Sequence, residues 1–138
     1  MDAGRSAGPT LVLLVENHDD TLEMYREWFN LRGYRVACSR SADDALRLAA
    51  ELHPDIITTE LALACSDGSD LCEALHTDAR TRGIPVVAIT SWATDDDVRR
   101  ARQLGCDAVL VKPVLPEVIA EELQRVLNAR ARPRITAD

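Results

Sequence analysis

The fold of this chain is decided by the stretch Pro54-Asp55-Ile56-Ile57-Thr58-Thr59-Glu60-Leu61-Ala62-Leu63. Apolar and β-branched residues fill its first half, which predicts a buried strand. A single carboxylate, that of Glu60, stands at the predicted carboxyl end of this strand. In an open α/β sheet, ligands bind in the crevice outside the carboxyl ends of the strands. Glu60 is therefore the first candidate for a functional side chain.

The rest of the chain repeats this arrangement of a short strand followed by a helix. Continuous apolar runs at 11–15 and 84–89 predict strands that are covered on both faces. Two more strands are predicted at 34–38 and 107–111. Segments with apolar residues at helical spacing follow every predicted strand. Five such units with short connections predict an α/β fold with a parallel sheet between helical layers.

Length and composition favour a single folded domain over residues 10–128. The chain has 138 residues, and 46% of them are hydrophobic, which suffices for a core. Residues 1–9 are predicted to be a flexible leader and residues 129–138 a flexible basic tail. Since no sequence for an output domain follows the fifth predicted helix, we expect the domain to stand alone.

The charge and hydropathy patterns exclude several classes of protein. The net charge of −7 argues against a nonspecific nucleic-acid binder, which needs a basic surface, and the basic tail is too short to bind DNA alone. No apolar run approaches the roughly 20 residues that span a bilayer. The leader lacks the apolar core of a signal peptide, so we expect a cytoplasmic protein with no direct membrane contact.

The cysteines do not have the spacing of a metal site. No CxxC pair occurs, which predicts buried or half-buried thiols rather than zinc ligands or disulfides. The residues concerned are Cys38, Cys65, Cys72 and Cys106.

Polar side chains follow four of the predicted strands at the point where each strand ends. They are Glu16 and Asn17 after the first strand, Glu60 at the end of the third, Thr90 after the fourth and Lys112 after the fifth. Because parallel strands end at the same edge of a sheet, we expect these groups to converge on one cleft.

With these polar residues at the ends of its strands, the sequence resembles the receiver domains of two-component response regulators, the CheY-like family. The resemblance covers about residues 10–128. No single piece is specific, but all of them occur in the order and spacing of the family. It implies a flavodoxin-like, doubly wound (βα)5 fold with strand order 2-1-3-4-5. The matching pieces are 13–17, 54–60, Asp67-Gly68, 84–90 and Lys112-Pro113.

The resemblance also implies a chemistry for the cleft. In the family, an aspartate at the end of strand three takes a phosphoryl group from a histidine kinase, and two acids after strand one hold Mg²⁺. A hydroxyl and a lysine bind the phosphoryl oxygens, and an aromatic residue on strand five rotates inward. Glu16, Thr90 and Lys112 match this pattern.

Three positions depart from the family pattern. Glu60 replaces the phosphoacceptor aspartate and is one methylene longer, and a nucleophile misplaced by about 1 Å can lose on the order of 10²-fold in rate. Asn17 replaces the direct metal ligand, so the pocket keeps two carboxylates and one ammonium. We expect Mg²⁺ to bind weakly or not at all, through Glu16, Asn17 and Glu60 if at all. Val109 replaces the aromatic switch and cannot rotate a ring.

These departures predict an atypical receiver, or pseudo-receiver, that acts by protein–protein contact without aspartyl phosphorylation. We expect no catalytic residues and no required cofactor. A Glu60–Lys112 ion pair would hold the pocket in one state, with Glu60 either a partial phosphoaspartate mimic or a relic. One alternative is a phosphorylation-competent, Mg²⁺-dependent receiver. A small metal-dependent or nucleotide-binding enzyme is disfavoured, because residues 15–18 contain no glycine for a phosphate loop.

Two residues are candidates for a partner surface. Trp92 follows Thr90 closely and could anchor an interface, and Arg99 belongs to a basic stripe on the fourth helix. The expected partner is a signalling protein, either a histidine kinase or a downstream regulator. The resemblance also suggests a homodimer through helices four and five.

Overall fold

The computed structural model describes residues 8–61, 63–91 and 94–131. Over these residues five strands alternate with five helices, and all four strand pairs are parallel in the order β2-β1-β3-β4-β5. The predicted fold class and strand order are therefore confirmed. The elements are β1 (Leu11–Val15), α1 (Asp19–Leu31), β2 (Arg35–Ser39), α2 (Ala42–Leu52), β3 (Ile56–Glu60), α3 (Leu71–Thr77), β4 (Val86–Thr90), α4 (Asp95–Gln103), β5 (Ala108–Val111) and α5 (Pro116–Ala131).

The alternation of side chains along the strands divides the core into two layers. Leu13 and Ile57 face the layer of α2, α3 and α4, whereas Leu14 and Ile56 face α1 and α5. The second layer centres on Phe29, which is fully buried and makes an edge-on contact with the ring of Tyr34. Because both faces of the sheet are covered, β1 and the first four residues of β4 are continuously apolar, and β3 buries Thr58 and Thr59 after its two isoleucines.

Side-chain caps set the start of two helices. Thr94 Oγ1 accepts a hydrogen bond from Asp97 N, and Asp97 Oδ2 accepts one from Thr94 N, which makes a complete capping box at α4. At α2, Ser41 Oγ accepts from Asp44 N, but the Asp44 carboxylate instead accepts from Ser39 Oγ. At α2 only one half of a capping box is thus formed.

Two aspartates order the edge of the sheet where the strands begin. Asp55 Oδ2 accepts from Leu11 N at 2.7 Å, and Asp107 Oδ2 accepts from Val86 N at 2.9 Å. Each carboxylate precedes its own strand and binds the first part of the neighbouring strand. The pair therefore aligns β3 with β1 and β5 with β4.

The last helix continues past the predicted domain boundary at residue 128. α5 runs to Ala131, and Arg130 Nη2 lies 2.8 Å from Asp107 Oδ1 and 3.1 Å from Asp107 Oδ2. Arg130 Nη1 also donates to Gly83 O at 3.3 Å. Assigning Arg130 to a flexible tail was wrong, because this side chain ties the end of α5 to the sheet. Residues 132–138 and 1–7 lie outside the described residues.

Three predicted strands begin one or two residues later in the structure. β2 begins at Arg35 rather than residue 34, β4 at Val86 rather than residue 84, and β5 at Ala108 rather than residue 107. Ile84 N donates to Thr81 O, so Ile84 belongs to the preceding turn despite its apolar side chain. Among the described helices, none combines the length and the apolar composition needed to cross a membrane.

Gly105→Ala is expected to destabilise the fold more than Gly33→Ala. Both glycines have left-handed φ values, +106° and +91°, where a side chain costs about 1–3 kcal/mol. A Cβ at Gly105 would also lie 2.5 Å from His76 Nδ1 and 2.6 Å from its Cγ, whereas a Cβ at Gly33 would meet nothing within 4 Å. Urea unfolding measures both losses. Adding His76→Ala to Gly105→Ala is expected to recover part of the difference, and equal losses in the two single variants would contradict it.

Candidate functional site

The carboxyl ends of four strands bring the predicted polar residues to one edge of the sheet. β3 pairs with β4 so that Glu60 lies opposite Ile89, and Thr90 pairs with Val111 just before Lys112. Lys112 N donates to Thr90 O at 2.7 Å, which extends the ladder by one residue. The lysine therefore starts from the far edge of the sheet and reaches back over its ends.

The ammonium of Lys112 lies between two carboxylates. Its Nζ donates to Glu16 Oε1 at 3.0 Å and lies 4.0 Å from Glu60 Oε1. The predicted contact between Lys112 and Glu60 is present at the limit of an ion pair, but the hydrogen bond goes to Glu16. The centre of the site is therefore the Glu16–Lys112 pair.

Glu16 is a buried charge whose two oxygens both have partners. The residue is only 5% exposed, and its Oε2 accepts from His18 N at 3.2 Å. Burial by itself raises the pKa of this carboxyl, but the hydrogen bonds from Lys112 and His18 outweigh it and hold the pKa below the ordinary value. Desolvation likewise works against the charge of Lys112, yet Glu16 raises the pKa of the lysine. Both groups are thus charged at neutral pH.

Glu60 is half-buried and directed partly toward its own backbone. Its side chain is 22% exposed, and its Oε2 accepts from Leu61 N at 3.3 Å. Glu60 also lines a cavity of about 300 Å³ between β3, β4, α3 and α4. The other lining residues are Leu61, Asp70, Cys72, Thr90, Asp97, Arg100, Ala101 and Leu104.

The oxygen ligands at this edge fit Mg²⁺ poorly. Asn17 lies exposed on the loop after β1, and the two nearby carboxylates are those of Glu16 and Glu60. Lys112 already binds one oxygen of Glu16, so a cation would have to displace an ammonium from a buried carboxylate. Within residues 8–61, 63–91 and 94–131, no group of three or more His, Cys, Asp or Glu side chains could hold a metal ion. Proteins usually bind Mg²⁺ through one or two carboxylates, and here Lys112 already occupies one of the two.

The remaining predicted residues occupy different surroundings. Thr90 is buried at 3% exposure. Val109 is half-buried and packs against the core layer of α2, α3 and α4 as an ordinary strand residue. Arg99 is exposed on α4 and pairs with Asp96, their Nη1 and Oδ1 atoms lying 2.9 Å apart. Trp92 lies outside the described residues.

Sequence reasoning missed two features of this region. The backbone N–H of His18 donates to Glu16 Oε2, and His18 Nδ1 lies 3.5 Å from the same oxygen. The exposed apolar residues Val111, Leu115 and Val118 at the junction of β5 and α5 were not singled out. Helical spacing could have found the last two, because neither belongs to the apolar face predicted for α5.

The amino-acid sequence matches one family model and several known proteins. Residues 12–124 match the family model described as "Response regulator receiver domain". The chain is similar to the polar-differentiation response regulator DivK of Brucella ovis, with 36% identity over 117 residues covering 85% of this chain and 95% of the relative. It is also similar to the DivK of Brucella anthropi, with 34% identity over 120 residues covering 87% of this chain and 98% of the relative.

A solved structure supports the same assignment. The crystal structure of a response regulator from Desulfuromonas acetoxidans superposes with a TM-score of 0.80 and 25% sequence identity. The match covers 87% of this chain and 98% of that protein. The likeness thus extends over nearly all of each domain.

Lys112→Met is expected to lower the free energy of unfolding by roughly 1–3 kcal/mol at about pH 7, because the buried Glu16 carboxylate stays charged without its partner. In the wild type, the pKa of Glu16 is lowered from its ordinary value of 4.5. This pair therefore stabilises the fold fully at pH values above 4.5, and the stabilisation is lost as pH falls through the folded-state pKa. In Lys112→Met, burial raises the pKa of Glu16 instead. The loss should therefore shrink toward about pH 4, as urea unfolding at several pH values would show.

The matched control for Lys112→Met removes the carboxylate as well. Glu16→Gln/Lys112→Met has no buried charge at this position, so its stability relative to Glu16→Gln is expected to vary little with pH. A loss for Lys112→Met that is the same at neutral and acidic pH would contradict the assignment of Glu16 as the charged partner.

Proposed function

The chain belongs to the response regulator receiver domain family, and we propose that it is an atypical member that signals by protein contact without an aspartyl phosphorylation cycle. Like other receiver domains, it works in two-component signalling with kinases or regulators as partners. The observation that carries the proposal is the Lys112 ammonium, which lies 3.0 Å from Glu16 and 4.0 Å from Glu60. The pocket thus supplies from its own side chains the charge balance that Mg²⁺ would otherwise provide.

The position of Glu60 supports a low phosphoryl-accepting activity. Its longer side chain moves the carboxylate beyond the point where an aspartate would present it, and one oxygen accepts from Leu61 N. Phosphoryl transfer depends almost entirely on positioning and charge stabilisation, so a displaced nucleophile and a weakened metal site act together. The protein is accordingly not an enzyme in this proposal.

The switch that the family pattern implies is also missing its moving part. Val109 stands at the aromatic position and is packed against the core, and a β-branched side chain in a strand has little rotamer freedom. Events at Thr90 would therefore not be relayed through a rotating ring. The surface of α4, β5 and α5 is expected to keep one conformation.

An exposed apolar cluster supports protein contact at this same surface. Val111 is 50% exposed, Leu115 63% and Val118 41%, at the end of the edge strand β5 and the beginning of α5. Val118 N donates to Leu115 O, so these two lie one turn apart. Arg99 is an exposed charged group on α4, the helix that contacts β5. Apolar residues with a charged rim are the composition of a protein interface, and a homodimer through α4 and α5 would use this face too.

Phosphorylation is tested by intact mass after incubation with acetyl phosphate and Mg²⁺. The wild type is expected to keep its mass, whereas Asn17→Asp/Glu60→Asp is expected to gain one phosphoryl group, because it regains the shorter nucleophile and a second metal-binding acid. Titration calorimetry should show tighter Mg²⁺ binding by the double variant. Asn17→Asp/Glu60→Gln is the control, with the same acid and no nucleophile. A stoichiometric phosphoryl adduct on Glu60 of the wild type would instead support the phosphorylation-competent alternative.

The contact surface is tested by affinity capture with the whole chain as bait. Leu115→Asp is expected to weaken capture of a histidine kinase or response regulator by roughly tenfold or more, because a charge is placed in the centre of the apolar cluster. Leu31→Asp is the matched control, since Leu31 is 85% exposed on α1, away from this face. Trp92→Ala tests the sequence-based anchor in parallel. Equal capture by Leu115→Asp and Leu31→Asp would contradict the assigned surface.

A further inference from the structure

Two buried cysteines from separate elements lie next to each other beneath the sheet edge. Cys72 is the second residue of α3, and Cys106 stands two residues before β5. Their Sγ atoms are 3.0 Å apart, with the Cys106 thiol donating a hydrogen bond to Cys72. We propose that this pair is a modification site, a dithiol that a hydroperoxide oxidises to a reversible disulfide. The proposal is independent of whether Glu60 accepts a phosphoryl group.

The geometry leaves little movement for bond formation. A disulfide has an S–S distance of about 2.05 Å, so the sulfur atoms need to approach by about 1 Å. Both side chains belong to the core layer formed with α2, α3 and α4, and they are 3% and 5% exposed. Cys106 N donates to Ala101 O at 3.0 Å, which holds this residue against the end of α4. The pair is thus brought together by the fold itself, across 34 residues of sequence.

The contact between the sulfur atoms favours the loss of one proton from the pair, that of Cys106. When Cys106 loses its proton, the Cys72 thiol donates to the resulting thiolate, and this hydrogen bond lowers the pKa of Cys106 despite burial. Burial raises the pKa of the other two thiols, Cys38 and Cys65. A thiolate is the nucleophilic form of cysteine, so the pair should react before the remaining cysteines do.

The cavity beside Glu60 supplies a route to one member of the pair, Cys72. Cys72 lines this space of about 300 Å³ together with Glu60, Thr90 and Arg100. A water molecule occupies about 30 Å³ in the liquid, so the cavity has room for a molecule as small as hydrogen peroxide. Polar groups on its wall can hydrogen-bond such a molecule. Both thiols are therefore buried from bulk solvent, and a small oxidant reaches the pair from the side of Cys72.

The chemistry balances with one hydroperoxide per pair. One sulfur, as a thiolate, attacks a peroxide oxygen, so that an S–O bond forms, the O–O bond breaks and the departing hydroxide takes up a proton. The second thiol sulfur then attacks the sulfenic sulfur, which forms the S–S bond, breaks the S–O bond and releases water as the thiol proton is transferred. Two thiols lose two electrons, and hydrogen peroxide is reduced to two waters.

The proposal is tested on the full, reduced chain with hydrogen peroxide. After brief treatment, free thiols are alkylated under denaturing conditions, and peptides are mapped without reduction. Before alkylation, the expected product has lost the mass of two hydrogens, and dithiothreitol returns it to the starting mass. After alkylation, the expected peptide map shows a Cys72–Cys106 cross-link and alkylated Cys38 and Cys65. A map in which Cys72 and Cys106 stay alkylatable, become separate sulfinic acids or link to another cysteine would overturn the proposal.

Single variants provide the matched controls. Cys38→Ser is expected to keep the cross-link, whereas Cys72→Ala and Cys106→Ala are expected to lose it, because each lacks one of the two sulfur atoms. Alanine is chosen because a buried hydroxyl would add an unpaired polar group. Loss of the cross-link in Cys38→Ser would overturn the assignment, and circular dichroism establishes that each variant is folded. The wild-type peptide map decides the question even where a variant does not fold.

Discussion

The site depends on one constraint, the burial of the Glu16 carboxylate beneath the edge of the sheet. A charge in this position is stable only with a partner, and the partner comes from 96 residues away, where Lys112 extends over the ends of β4 and β3. Glu60 lies beneath this span and shares the ammonium at 4.0 Å. The strand order and the requirement for charge balance therefore determine the pocket together. Lys112 thereby keeps a buried acid ionised.

The two proposed activities use different surroundings of this pair. Toward α3 and α4 lies the cavity that Glu60 and Cys72 both line. Toward α5 the surface presents Val111, Leu115 and Val118 to a partner. Chemistry in the cavity would act on the layer of α2, α3 and α4, whereas the contact surface is built on β5 and the start of α5. The two proposed activities depend on different residues and can be tested separately.

Much of the fold was predictable because its signals are local. The apolar runs of β1 and β4, the glycine after α1 and the capping residue Thr94 each act within a few positions, and parallel strands necessarily bring Glu16, Glu60, Thr90 and Lys112 to one edge. The choice of Lys112 between two carboxylates was not predictable, because it depends on burial and on the backbone N–H of His18. The approach of Cys72 to Cys106 depends on distances between elements that no spacing in the sequence encodes. The length of α5 was underestimated because its last turn is held by an ion pair between Arg130 and Asp107, which precedes β5 and is 23 residues away in the sequence.

The contacts of Arg130 determine where this domain can be fused to another sequence. Its guanidinium binds the same Asp107 carboxylate that accepts from Val86 N, and it also reaches the carbonyl of Gly83. The last turn of α5 therefore closes the edge of the sheet opposite the pocket. A chimera joined at residue 128 would remove the contacts of Arg130 with Asp107 and Gly83, so that the starts of β4 and β5 would be held only by the sheet itself. A junction placed after Ala131 keeps these contacts and lets the attached sequence leave on the side away from Glu16 and Lys112.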